Sequence, residues 1–192
     1  NLKANTKTFQ VFTSLESTGP QAEYVRFGLD HAKFVENCER MLKVIDRLDF
    51  MTTVNILSAS TFVPFLHWIT RLRERCNPEP GTNRDGLMVN YLRFPEFLDI
   101  RLLPDFAKTR LVHSINDIID KSQFDPNKPS TRILYLEEVD QLRRLMEYLK
   151  GTPDNAQKQV AKLAQFTREL DRRRGTRFLP LFPELLELLS YV

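Results

Sequence analysis

Alternation of apolar and polar positions marks three strands along this chain, and stretches of helical spacing separate them. From Phe9 to Leu15 side chains alternate, so Gln10, Phe12, Ser14 and Glu16 share one side while Phe9, Val11, Thr13 and Leu15 share the other. The run Ser17-Thr18-Gly19-Pro20 stops this strand, because Gly and Pro favour a turn and Pro cannot donate to a sheet ladder. A helical segment follows. His31 to Leu48 then places Phe34, Cys38, Met41, Leu42, Ile45 and Leu48 on one stripe, which predicts a helix lying on a sheet. Met51 to Leu57 is the second strand, with Thr53, Asn55 and Leu57 on one face and Thr52, Val54 and Ile56 on the other. Ser58-Ala59-Ser60-Thr61 opens the next helix, with Pro64 in its first turn and Phe62, Phe65, Leu66, Ile69 and Leu72 on its apolar side. A breaker-rich loop, Asn77-Pro78-Glu79-Pro80-Gly81, leads to the third strand, Leu87 to Leu92. Each interval holds a crossover helix, so the pattern predicts parallel pairing with right-handed connections.

Past Pro104 only helical periodicity remains. Ala107, Leu111, Ile115 and Ile118 line one helix up to a polar break from Lys121 to Ser130. Val139, Leu142, Leu145, Met146 and Leu149 line a second, over Tyr135 to Lys150, which Gly151 stops. A third, about Asn155 to Arg173, shows Val160, Leu163, Phe166 and Leu170 before Gly175. Leu179-Pro180-Leu181-Phe182-Pro183 then enters a short apolar tail helix. The chain thus divides into an α/β part, residues 1–104, and a helical extension, residues 105–192.

Composition narrows the function classes. With 42% apolar and 28% charged residues in 192, the chain reads as a globular domain, and no stretch approaches the roughly 20 apolar residues of a membrane span. The polar N-terminus lacks a signal-peptide core, and two separated cysteines, Cys38 and Cys76, fit a reducing cytoplasm better than a disulfide framework. A net charge of +3 licenses no general nucleic-acid reading. The run Arg172-Arg173-Arg174 interleaves with Glu169 and Asp171 and lacks alternating aromatics, so it reads as a solvated helix end. His31, His67 and His113 have no metal-ligand spacing, and Cys38 sits in an apolar stripe as a buried thiol.

Several polar residues stand at strand ends, where parallel sheets bind ligands. Ser14 and Glu16 pair a hydroxyl with a carboxylate, suited either to a ligand's hydroxyls or amine or to capping the next helix. Asn55 either meets a ligand or is a core asparagine bonded to nearby backbone. On the third strand Asn90 alternates with Tyr91. Arg93, just before Pro95, either clamps an anionic substrate group or pairs with Glu96 or Asp99.

The segment FTSLESTGPQAEYVRFG resembles the fourth strand and turn of the radical S-adenosylmethionine (SAM) enzymes, where Ser-x-Asp or Ser-x-Glu contacts the ribose and methionine part of SAM. Ser14-Leu15-Glu16 matches that pattern, and Arg26 falls where the family often has an arginine reaching the SAM carboxylate. VNYLRFPEFLDIRLLP and FTRELDRRRGTRFLPLFPEL are similar to members with a short Twitch-like C-terminal extension. The resemblance implies the C-terminal half of a partial (β/α)6 barrel followed by that extension. It implies SAM as cofactor, held by Ser14, Glu16, Arg26 and Asn55, with Asn90 and Arg93 on the substrate side. The family's C-x-x-x-C-x-x-C motif and its glycine-rich segment are absent. The 4Fe–4S cluster would therefore belong to the full-length enzyme only, with the N-terminal half of the same enzyme as partner and a small molecule or peptide as substrate. In the family, reduction cleaves SAM to a 5′-deoxyadenosyl radical that takes hydrogen from substrate. The competing reading is a non-catalytic α/β interaction module that binds a protein partner through its helical C-terminal part.

Overall fold

The computed structural model describes residues 7–76, 84–122 and 134–190. The expected loop at 77–81 and most of the polar break, residues 123–130, lie outside them. Three strands, β1 (Gln10–Ser14), β2 (Arg47–Val54) and β3 (Asp85–Tyr91), form one sheet in chain order, with β2 central and every pairing parallel. Helices α1 (Gly19–Val25) and α2 (His31–Leu42) connect the first pair, and α3 (Ala59–Cys76) lies in the second connection. Two single 3-10 turns, Glu96–Leu98 and Ile100–Leu102, lead into α4 (Asp105–Lys121). The helices α5 (Leu136–Leu149), α6 (Ala156–Arg174) and α7 (Leu186–Ser190) complete the chain, with a 3-10 turn at Pro183–Leu185 before the last. The α/β class, the parallel pairing and the helical last third agree with the periodicity.

Boundaries differ: β2 ends at Val54 instead of the expected Leu57, β3 begins at Asp85 instead of Leu87, and the largest difference is at the start of β2. The helix expected to run to Leu48 ends at Leu42, and β2 begins at Arg47, four residues before the expected Met51. Leu48 satisfies both periods: it extends the stripe of α2, and it also opens the inward series Leu48, Phe50, Thr52, Val54, all essentially buried. The strand series wins because it bonds to neighbours on both sides, Val11 and Asp85 being the register partners of Leu48. Arg84 donates to the carbonyls of Leu42 and Ile45 (2.7 Å to the latter), which supplies partners where α2 stops. At its other end Asp30 caps α2 by accepting from the Lys33 amide at 2.9 Å.

The sheet is covered on one face. Leu15, Leu48, Phe50, Val54, Leu87 and Val89 pack with Phe62, Phe65 and Ile69 of α3 and Leu42 of α2 in a buried cluster that continues to Leu185. The opposite face carries Gln10, Phe12, Ser14, Met51, Thr53, Met88 and Asn90, all exposed. Parallel sheets are ordinarily covered on both faces, so this surface departs from the rule. The outer edge of β3 is shielded differently: Glu138 and Gln141, one turn apart on α5, accept from the amides of Leu87 and Val89.

A buried ionic cluster joins α3, β3 and α5. Arg73 donates through Nη1 and Nη2 to both oxygens of Glu138, at 2.8 and 2.6 Å, and through Nε to Asp85 at 2.6 Å. Glu138 also accepts from the amides of Leu87 and Tyr135, the latter closing a capping box at the start of α5. All three charged side chains are nearly inaccessible, and such a group is tolerated only when its hydrogen-bonding capacity is filled.

Candidate functional site

Glu16 and Arg26 are brought together just beyond the carboxyl end of β1, where Arg26 Nη2 donates to Glu16 Oε2 at 2.6 Å. Strand geometry ends at Ser14, so the alternation that would align Ser14 with Glu16 does not extend to the carboxylate. Ser14 is exposed on the open face, whereas Glu16 is buried at 4% exposure. Ser17, the next hydroxyl in the turn, is buried with its Oγ unpartnered, and α1 starts from Thr18 without a side-chain cap. The capping reading of this turn therefore finds no bond to support it. Arg26 Nε is likewise buried without a hydrogen-bond partner. The pair thus keeps donor capacity on the guanidinium, beside a carboxylate held in place.

The C-terminal segment fixes this turn. Tyr24 of α1 lies against Phe178 and Phe182, with ring centroids 5.6 and 5.5 Å away. Gln21 donates to the Leu181 carbonyl at 2.8 Å, and Arg174 donates to the Tyr24 carbonyl at 2.9 Å. Of the basic run, Arg172 and Arg173 are solvated and paired with Glu169, as the sequence reading expects, while Arg174 is an anchor that also lies over the Phe27 ring.

At the carboxyl end of β2, Asn55 is one residue past the strand and its side chain serves the turn. Its Oδ1 accepts from the Leu57 amide at 2.9 Å and its Nδ2 donates to the Thr53 carbonyl, while Ser58 Oγ accepts from the Asn55 amide. This is an Asx-type turn leading into α3, the local-backbone alternative for Asn55. Thr52 donates to the Leu15 carbonyl at 2.8 Å and ties the ends of β1 and β2 together.

Asn90 is exposed on the open face. Arg93 pairs with neither Glu96 nor Asp99: Glu96 accepts from Gln159, and Asp99 holds Arg101 at 2.7 Å and the Tyr148 hydroxyl at 2.6 Å. Arg93 instead donates to the Tyr91 hydroxyl at 3.0 Å and lies over the Tyr91 and Tyr148 rings, which stack with centroids 3.9 Å apart. Burial, aided by the bond to Asp99, pushes the Tyr148 phenol up to about 12, so it remains a donor at neutral pH.

Asp49 is the residue sequence reasoning missed. It lies on the open face of β2 yet is only 1% exposed, accepting from Arg47 and Gln10. Gly86 of β3 is its register partner, and a methyl there would overlap Asp49 Oδ1. Placing the start of β2 correctly would have revealed the acid on the strand.

Nothing among the described residues groups three or more His, Cys, Asp or Glu in a way that suits a metal ion. Cys38 is buried in α2, and burial pushes its thiol up to about 12, against the thiolate a metal requires. No helix among the described residues is long and apolar enough to cross a membrane. Comparison with protein-family models, curated proteins and solved structures finds no match.

Proposed function

We propose that this chain is the SAM-binding and substrate-side part of a radical SAM enzyme, acting with an N-terminal half that carries the iron–sulfur cluster. The observation that carries the reading is the Glu16–Arg26 pair beyond the carboxyl end of β1. The methionine part of SAM is a zwitterion, and a neighbouring carboxylate and guanidinium complement its ammonium and carboxylate. The buried, unpartnered Arg26 Nε is the donor such a carboxylate would satisfy. Ser14, exposed on the open face, adds a hydroxyl for the ribose.

Sheet topology supports the same reading. Three parallel strands in chain order, with helices on one face and an open opposite face, are what a sector of a (β/α) barrel requires. A doubly wound sheet would instead be covered on both faces. The open face then corresponds to the barrel interior, and further strands from the N-terminal half complete the enclosure. In this scheme bound SAM supplies the hydrogen-abstracting chemistry. Glu16 and Arg26 orient it, Thr52 and Asn55 shape the strand ends around it, and the docked C-terminal segment holds α1 still.

The cluster does not fit the described residues, since Cys38 is a buried, protonated thiol and no metal-binding group is present among them.

A second reading, an interaction module binding a protein partner through its helical part, is favoured by a groove of about 950 Å³ between α3, α4 and α7. Phe106 and Leu186 line it, both more than half exposed. Titration calorimetry of SAM into the chain separates the two readings. Saturable binding that Arg26→Met weakens supports the cofactor site, and absence of binding leaves the interaction module.

A further inference from the structure

We infer that the hollow at the carboxyl end of β3 is an oxyanion site, taking the carboxylate or phosphate of a small-molecule ligand. It holds about 480 Å³, within the size of small-molecule pockets, and is lined by Met88, Asn90, Tyr91, Arg93, Gln141 and Arg144, with the Val89 backbone between them. Its polar groups are mainly donors. Gln141 Oε1 is taken by the Val89 amide, which leaves the Gln141 NH2 as a donor. The Tyr91 hydroxyl accepts from Arg93. Among the described residues no carboxylate lines the hollow.

Both guanidiniums are available. Arg93 has only the Tyr91 hydroxyl and the two tyrosine rings as partners, and no described carboxylate ion-pairs with Arg93 or Arg144. The nearby acids are engaged elsewhere: Asp140 with Arg143, Glu147 with Lys150, and Asp99 with Arg101 and Tyr148. Two arginines on different elements, one from the β3 end and one from α5, line the same hollow, a donor pair suited to an oxyanion. Met88 and the Tyr91 ring offer an apolar wall for the rest of the ligand. The inference stands on this donor set and does not depend on SAM binding. In the enzyme reading it adds that the substrate is anionic.

The test is titration of the full 192-residue chain, isotope-labelled for NMR, with inorganic phosphate and separately with acetate, against sodium chloride at matched ionic strength. The side-chain amide signals of Asn90 and Gln141 report the hollow. Saturable shifts with either oxyanion and not with chloride are expected. The R93Q/R144Q double variant should bind about tenfold or more weakly, the size of a lost charge-assisted bond, with unchanged melting temperature because both arginines are exposed. R143Q, which removes an arginine already paired with Asp140, should leave affinity within about twofold. Response to phosphate alone identifies a phosphate-bearing ligand, and response to acetate as well identifies a carboxylate as competent. Linear, unsaturable shifts, or saturable shifts that survive the double variant, would overturn the assignment.

Discussion

Glu16 and Arg26 meet at 2.6 Å across the turn that follows β1, and their burial is unequal: the carboxylate side chain is 5% exposed and the guanidinium 37%. The asymmetry sets the direction of a mutational test. Arg26→Met leaves a buried carboxylate without its cation and is expected to cost about 1–3 kcal/mol, whereas Glu16→Gln leaves an arginine that water still reaches and should cost less. Chemical denaturation of both variants checks the ordering. Equal or reversed costs would show that the pair does not hold the turn.

Arg73 presents the opposite case, since its described carboxylate partners, Glu138 and Asp85, are both buried. Arg73→Met removes the guanidinium between the buried Glu138 and Asp85 carboxylates and is expected to destabilise by about 3–5 kcal/mol. Glu138→Gln keeps the shape but loses charge toward Arg73, and should cost less. Urea unfolding of the two variants measures both values. A loss below about 1 kcal/mol for Arg73→Met would mean that water replaces the guanidinium in solution.

Gly86 leaves the space in which the Asp49 carboxylate lies. Gly86→Ala should displace Asp49 from Arg47 and Gln10 and cost about 1–3 kcal/mol, even though alanine suits a strand better than glycine. An unchanged melting temperature would contradict the close approach.

Cys38 gives a pH dependence. Its thiol rises from an ordinary value of 9.0 to about 12, chiefly through burial and secondarily through Glu39. Between these values the folded state keeps a proton that the unfolded state releases, so this group's contribution is intact below pH 9.0 and is lost as pH rises toward 12. Melting temperatures of the parent and Cys38→Ala should converge over that interval. At pH 8 the native thiol should alkylate only on unfolding, and rapid native labelling would contradict its burial.

Periodicity carried the α/β order, the parallel pairing and the helical last third, because each element buries one face in a regular pattern. Where one residue fits two periods the sequence is ambiguous, and Leu48 hid the start of β2 and with it Asp49. Glu16 was legible as a polar residue at a strand end, yet its orientation was not, since the strand stops at Ser14. Contacts such as Arg73 with Asp85 and Glu138 join residues 12 and 65 positions apart and leave no local trace. Gln141 and Arg144 lie off the apolar stripe of α5, and only the packing of α5 beside β3 brings them to the strand end.

The most direct test of the central claim is calorimetric titration of SAM into the parent chain and into Glu16→Ala, set beside melting curves for both. The account predicts saturable binding by the parent and a loss of about 1.5–3 kcal/mol in affinity for the variant, the range of a charge-assisted hydrogen bond, with the fold retained. Unchanged affinity with a lowered melting temperature would contradict it, and would leave Glu16 with a purely structural role opposite Arg26.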